Sequence, residues 1–320
     1  MSALNQPHFQ DSEKAREYLE AIQWPNGPVC PHCGVQGDHY SLQGKAHRVG
    51  LWKCKDCRQQ FTVTVGTVFE RSKIKLNVWL QAVYLICSSK KGISSHQLHR
   101  TLGVTYKTAW FMSHRIREAL RSTDGGLLGG GGGIVEADET FYGNLPGRKP
   151  PVRKFRQGTK TGGFAHKNKI LALVDRTGAT RAFHVANIDA KVLKPILQAN
   201  IAKDTKVFTD TAGQYRIMGL KREFKSHKMV NHSIKEYARG EVHTNTVESF
   251  FGVLKRGLYG TYQHVSHAHL QRYCDEFSFR FTNRTALGVS DSERADTALK
   301  GIIGKRLTYR RINSRLQGQA

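Results

Sequence analysis

Val135-Glu136-Ala137-Asp138-Glu139-Thr140-Phe141 reads as the heart of a strand over 134–142, with Asp138 near its middle. Successive strand side chains point to opposite faces, so Glu136 shares a face with Asp138. Working outward, the pattern predicts hairpin strands at 169–175 and 180–186, joined at Arg176-Thr177-Gly178, where alternation on either side of a glycine-bearing turn marks the connection. A helix over 189–201, a strand over 205–210, a short helix, a strand near 224–230 and a long helix over 245–257 follow. Lys206-Val207-Phe208-Thr209-Asp210-Thr211 ends in an acid just before Ala212-Gly213, where the chain must turn. Asn245-Thr246-Val247-Glu248-Ser249-Phe250-Phe251 opens the last helix, so Glu248 falls in its first turn, with Lys255 seven residues on along nearly the same face.

This succession, three consecutive strands, a helix, a fourth strand and a later helix bearing a final acid, resembles the ribonuclease H fold. The expected class is α/β, with a mixed sheet. Two strands and a helix then deliver Asp138, Asp210 and Glu248. Hard divalent cations prefer carboxylate oxygens and keep several waters, so three acids suffice for Mg²⁺, with two ions expected and Mn²⁺ as a substitute. A carboxylate-held ion pair suits in-line displacement at a phosphodiester. Lys255 is placed to hold a DNA backbone near the cut. Each acid also has a plain structural alternative: Glu248 completing a capping box with Asn245, Asp210 capping the next helix, Asp138 as one of several acids on an edge. His243, Thr244 and Asn245, just ahead of Glu248, divide likewise between phosphate or metal-water contacts and simple capping.

Fifty Lys and Arg against 25 Asp and Glu leave a net charge of +25 in 320 residues, which points to a polyanionic partner, nucleic acid first. A solvated basic surface or a ribosome-type structural role is the alternative on charge alone. No run approaches the roughly 20 apolar residues of a membrane span, and the N-terminal stretch is polar without a signal-peptide core. The expectation is a soluble, cytoplasmic, nucleoid-associated protein with no membrane partner. Of six cysteines, four fall in CxxC pairs; Cys87 and Cys274 sit alone in apolar helical patterns and read as buried small residues.

Cys30-Pro31-His32-Cys33 and Cys54-Lys55-Asp56-Cys57 have the spacing of a four-cysteine structural zinc site, which replaces the core so short a segment lacks. The four thiolates fill the coordination, leaving His32 and His47 as surface residues. The run Phe61-Thr62-Val63-Thr64-Val65 alternates like a strand. Downstream, Ser94-Ser95-His96-Gln97 has capping-box spacing, Gly103 permits a tight turn, and Thr105 caps a second helix from Tyr106 to Leu120. This helix-turn-helix would present Tyr106, Lys107 and Thr108 to base edges, while His114, Arg115, Arg117 and Arg121 approach phosphates. A basic loop carrying Arg148, Lys149, Arg153 and Lys154 is expected to lie on DNA, or else to be merely solvated. The expected domains are a zinc ribbon with its N-terminal helix (1–70), a helix-turn-helix (71–124), a glycine-rich flexible linker (125–133), a catalytic domain (134–290) and a basic C-terminal tail (291–320).

Assembled, these stretches resemble the DDE transposases of a bacterial insertion-sequence family bearing an N-terminal zinc ribbon. The matching segments are Cys30 to Gly34, Phe61 to Phe69, Val135 to Thr140, Thr209-Asp210, and His243 to Phe251 through Leu254-Lys255-Arg256-Gly257. The resemblance implies an enzyme that binds the terminal inverted repeats of its own element as double-stranded DNA, nicks the ends to free 3′-hydroxyls and joins them to target DNA, as a multimer holding two ends. In that family the third catalytic position is sometimes asparagine, so Asn245 and Glu248 both stand as candidates. Two rivals use the same residues differently: a domesticated, non-catalytic DNA-binding regulator, and a nuclease that cuts without joining.

Overall fold

The computed structural model describes residues 3–122, 125–149 and 164–308. They fall into two compact units, one drawn from residues 3–89, 93–120 and 291–308, the other from 90–92 and 121–290. None of the described helices is long and apolar enough to cross a membrane.

In the first unit, α1 (Pro7–Gln10) leads into α2 (Ser12–Gln23), whose cap is Asp11, a carboxylate accepting from Glu13 N and Lys14 N at 2.8 Å each. Three short antiparallel strands follow in the order β1 (His39–Ser41), β2 (Trp52–Cys54), β3 (Gln60–Phe61). The strand expected over 61–65 stops at Phe61. Val65 N instead bonds Thr62 O at 3.0 Å, Thr67 Oγ1 bonds Thr64 O at 2.7 Å, and Gly66 takes a φ of +72°. Hydroxyl side chains and a glycine here favour turns over a ladder.

The helix α3 (Leu76–Ser88) buries Trp79, Leu80, Val83, Ile86 and Cys87 on one side, as its i, i+3, i+4 spacing requires. In α4 (Ser95–Leu102), Ser94 Oγ accepts from Gln97 N at 3.1 Å. Gly103 turns the chain at φ +65°, and Thr105 Oγ1 accepts from Thr108 N at 3.2 Å to start α5 (Tyr106–Leu120). Leu98, Ala109, Met112 and Ile116 are buried.

The second unit is built on a five-stranded mixed sheet of β4 (Ile134–Asn144), β5 (Lys167–Asp175), β6 (Thr180–Val185), β7 (Lys206–Asp210) and β8 (Ser226–Val230), in the spatial order β6-β5-β4-β7-β8. The first three strands pair antiparallel, whereas β7 and β8 extend the sheet in parallel. In β5, Ile170 to Val174 are wholly buried, because helices cover both faces. On one face Leu171, Leu173, Val135 and Ala137 pack with Leu193 and Leu197 of α6 (Ala190–Asn200) and Tyr215 of α7 (Gly213–Ile217). On the other, Ile170, Ala172 and Val174 pack with Val247, Phe250 and Leu254 of α8 (Asn245–Arg256) and with Cys274 and Phe277 of α9 (Leu270–Thr282). A small hairpin, β9 (Ala238–Arg239) with β10 (Val242–His243), precedes α8.

Two expectations change. Residues 126–133 are not a free linker: Leu128 is buried and bridges Ile201, Gly129 N donates to Asp175 Oδ2 at 2.7 Å, and Gly130 N donates to Thr205 Oγ1 at 3.1 Å. The glycines are there because this path needs positive φ at Gly129 to Gly132 and leaves no room for a Cβ at Gly129 against Thr205. The segment from 291 likewise begins as a helix, α10 (Asp291–Lys300), belonging to the first unit. There Arg294 donates to Cys87 O at 3.0 Å and Tyr18 donates to Asp296 Oδ1 at 2.6 Å, while Ala295, Ala298 and Leu299 are buried.

Candidate functional site

The two aspartates come together through strand pairing. Between β4 and β7 the register runs Ile134 with Lys206, Val135 with Val207 and Glu136 with Phe208, a constant offset of 72 that, continued, sets Asp138 beside Asp210. Asp210 ends its strand with Oδ1 accepting from Ala212 N at 2.9 Å, the residue before α7, whose start has no side-chain cap. Burial pushes the Asp138 carboxyl up to about 8; the bond from Glu139 N opposes this, and the charges of Glu139, Asp210 and Glu248 add to it. Burial likewise lifts Glu139 to about 6, against bonds from Tyr215 and Gln214 and with help from Asp210. Glu139, assigned no role from sequence, lies on the opposite face of β4 from Asp138, bonded by Gln214 at 3.2 Å, yet its charge bears on the Asp138 carboxyl.

Glu248 stands in the first turn of α8, exposed beside Asn245 three residues earlier. Thr244 Oγ1 donates to Glu248 Oε1 at 3.0 Å, and His232 Nε2 lies 3.2 Å from Thr244 Oγ1 and 3.6 Å from Glu248 Oε1. No capping box with Asn245 forms, since the helix start has no cap from its own segment. Lys255 is exposed in the last turn of α8, seven residues and about 10 Å along the axis from Glu248. Carboxylates near enough for their charges to raise the Asp138 carboxyl are oxygen donors of the kind a hard divalent cation prefers.

Beneath these acids, Glu136 is fully buried. Its Oε2 accepts from Thr246 N at 2.8 Å and Val247 N at 3.1 Å; its Oε1 accepts from Thr246 Oγ1 at 2.9 Å and Arg176 Nε at 3.0 Å. His243 Nδ1 lies 3.2 Å from the same Oε1. The spacing showed only that Glu136 shares the Asp138 face. Its partners lie 40 and about 110 residues away, beyond any local pattern.

The four cysteine sulfurs of the small sheet lie within 4.8 Å of one another, the one such cluster of metal-ligand groups among the described residues. Cys30 to Cys57 and Cys33 to Cys54 are each 3.6 Å, close to the roughly 3.8 Å between sulfurs that zinc's 2.3 Å bonds impose in a tetrahedron. The geometry fits zinc. His32 and His47 are exposed.

On the helix pair, Tyr106 and Lys107 are exposed at the start of α5 and Thr108 is half-buried. Arg115 is a correction: it is buried, donating to Leu307 O and Glu70 O at 3.1 Å each, and its neighbours His114 and Arg117 are buried with it. They fall on a stretch of α5 buried from Met112 to Arg117, where the Arg115 guanidinium donates to two backbone carbonyls and Arg117 Nη1 donates to Ser113 Oγ at 3.1 Å. Arg121 is exposed. Of the basic loop, Arg148 and Lys149 are exposed, and Arg148 Nη1 reaches Ala165 O at 3.4 Å. Arg153 and Lys154 lie outside the described residues.

Known proteins bear on this arrangement. Residues 130–282 match the ISXO2-like transposase domain, and residues 10–60 match the transposase zinc-ribbon domain. An uncharacterized protein in transposable element ISH50 of Halobacterium salinarum is 29% identical over 279 residues, covering 85% of this chain and 91% of that protein. An uncharacterized transposase-like protein of Haemophilus influenzae is 30% identical over 99 residues, covering 31% of this chain and 77% of that protein. Among solved structures, that of the Mos1 strand transfer complex aligns with a TM-score of 0.28 at 13% identity, covering 64% of this chain and 69% of that one. The ISXO2-like match spans β4, β7 and α8, the elements bearing the three acids, and the ribbon match takes in all four cysteines. The chain belongs to the family of transposases with an ISXO2-like domain, here preceded by a transposase zinc ribbon.

Proposed function

We propose that the protein is an active DDE transposase that binds the inverted-repeat ends of its element, cleaves them and joins the freed 3′-hydroxyls to target DNA, using a ribonuclease H-like domain. The observation that carries the reading is the β4–β7 register, which sets Asp138 beside Asp210, with Glu248 acting on the same carboxyl. Two Mg²⁺ ions, with Mn²⁺ as substitute, would be held by Asp138, Asp210 and Glu248; when bound they supply charge stabilisation for the attacking and leaving oxygens. The chain's own residues orient those carboxylates, Thr244 and His232 steadying Glu248 and the turn at Ala212 steadying Asp210. Zinc in the four-cysteine knuckle would be structural.

In this reading α4 and α5 act as a helix-turn-helix, with Tyr106, Lys107 and Thr108 meeting base edges, and Arg148, Lys149, Arg153 and Lys154 following the backbone. Lys255, on the helix of Glu248, holds the DNA backbone near the cut. The domain limits near 70 and 124 mark ribbon, helix-turn-helix and catalytic parts, and the working form is a multimer on two ends at the nucleoid.

The test uses labelled duplex carrying the inverted repeats that flank the gene, a plasmid target and Mg²⁺. Nicking and joining by the wild type, absent in Asp138→Asn and Asp210→Asn, are expected. Parallel Glu248→Gln and Asn245→Ala variants decide the third ligand, expected to be Glu248 because it and not Asn245 is held by Thr244. Specific binding without cleavage would move the protein to the regulator class, and cleavage without joining to the nucleases.

A further inference from the structure

Glu136 is a carboxylate with no access to water, two residues before Asp138 on the same strand face. A buried charge is costly unless fully compensated, and here every donor that compensates it comes from an element bearing, or packed on, one of the acids. The first-turn amides of α8 point N–H groups outward with no acceptor of their own, since the segment before Asn245 offers no side-chain cap. Glu136 takes two of them, at Thr246 and Val247, and the Thr246 hydroxyl besides. Val247 immediately precedes Glu248.

Arg176 extends the link. Its Nε donates to Glu136 Oε1 at 3.0 Å, its Nη2 donates to Glu241 O at 2.6 Å ahead of α8, and its guanidinium lies over the Phe208 ring at 5.3 Å. Phe208 sits two residues before Asp210 on β7. One ion pair, its carboxylate buried and its guanidinium partly exposed, therefore touches the strand of Asp138, the strand of Asp210 and the helix of Glu248.

We propose that Glu136 is a positioning residue. Acting as a helix cap supplied in trans and anchored by Arg176, it sets the distance of Glu248 from the two aspartates and so sets the affinity of the acidic site for divalent cations. This rests on the transposase reading of that site. A cap needed only for stability could be supplied locally by Ser or Asp at position 244, as Asp11, Ser94 and Asp189 do for other helices of this chain. A carboxylate reaching from the neighbouring strand adds what a local cap cannot, a fixed relation between strand and helix.

The test uses the full chain with zinc, comparing wild type, Glu136→Gln and Thr246→Val. Mn²⁺ alone is titrated by electron paramagnetic resonance against an Asp138→Asn/Asp210→Asn baseline, amide hydrogen exchange is followed at Thr246 and Val247 in metal-free protein, and inverted-repeat binding is measured in EDTA. For Glu136→Gln we expect faster exchange at both amides and an Mn²⁺ dissociation constant raised about 10- to 100-fold. End-DNA affinity should hold within about twofold, and cleavage lost at low Mn²⁺ should be partly recovered at high Mn²⁺. Thr246→Val, which removes one bond from a partly exposed site, should raise the constant by a few-fold with little change in melting, and decides the matter if Glu136→Gln fails to fold. Wild-type Mn²⁺ affinity in either folded variant, despite a loosened first turn, would overturn the proposal. A wild type that neither cuts nor joins DNA would instead sink the transposase reading, while the Mn²⁺ and exchange measurements still judge Glu136.

Discussion

Replacing Asp138 by asparagine should abolish chemistry yet make the metal-free protein more stable. In the fold, burial and the charges of Glu139, Asp210 and Glu248 hold this carboxyl near 8, against an ordinary 3.8. A shift of about four units corresponds to about 5 kcal/mol at most near neutral pH, at about 1.4 kcal/mol per unit. Asp138 is partly open to solvent, and screening and relaxation reduce this to about 2–3 kcal/mol. Asparagine retains the size and the acceptor for Glu139 N without the charge.

The direction with pH follows from the raised value. Between about 4 and about 8 the folded state keeps a proton that the unfolded chain has released, so the stability present below about pH 4 is lost as pH rises towards 8. The gap between variant and wild type should therefore open across that window and level off above it. Thermal unfolding in EDTA at several pH values should place the Asn variant about 5–10 °C higher near pH 8. Saturating Mg²⁺ or Mn²⁺ should raise the wild type but not the variant. A variant no more stable than wild type near pH 8, or a gap that narrows from pH 5 to pH 8, would refute the reasoning.

Cys54→Ser should lower zinc from one ion per chain by elemental analysis and unfold the small sheet, seen as loss of amide protection there, because the cluster of one Cys pair with Phe61 is all the core this module has. Gly129→Ala should destabilise by about 2 kcal/mol or more in urea unfolding, since the added methyl meets Thr205 at a positive φ; a neutral result would restore the linker reading. Arg115→Ala should lower stability by about 1–3 kcal/mol, removing a buried side chain that holds two part-buried carbonyls, while the salt dependence of DNA binding by the folded fraction stays unchanged. A slope reduced by about one, with no loss of stability, would return Arg115 to the DNA-contacting set.

Much of the second unit was legible because its signals are local. The alternation and turn at Arg176-Thr177-Gly178 revealed the β5–β6 hairpin, and the acids at 138, 210 and 248 stood at strand or helix positions that periodicity alone located. The two CxxC pairs needed no fold to be recognised, since each knuckle is a four-residue turn. Errors arose where burial and path matter. The 61–65 run alternates like a strand, but among the described residues no strand pairs with it beyond Phe61, and its threonines turn the chain. Arg115 looked like a phosphate contact because a helix has basic residues on several faces, and which face is inward depends on packing with distant segments such as Leu307.

By itself the sequence determined most of the element order, the pairing of the four cysteines in two CxxC knuckles, the strand and helix positions of Asp138, Asp210 and Glu248, and the strongly basic charge. These depend on spacing along one segment or on simple counts. Tertiary structure alone decided that Glu139 meets Gln214 of α7, that residues 126–133 belong to the sheet domain, that helix α10 joins the N-terminal unit, and that Glu136 caps the helix of Glu248. Each of these turns on which remote segment supplies a hydrogen-bond partner or excludes water, and that information exists only once the chain has closed on itself.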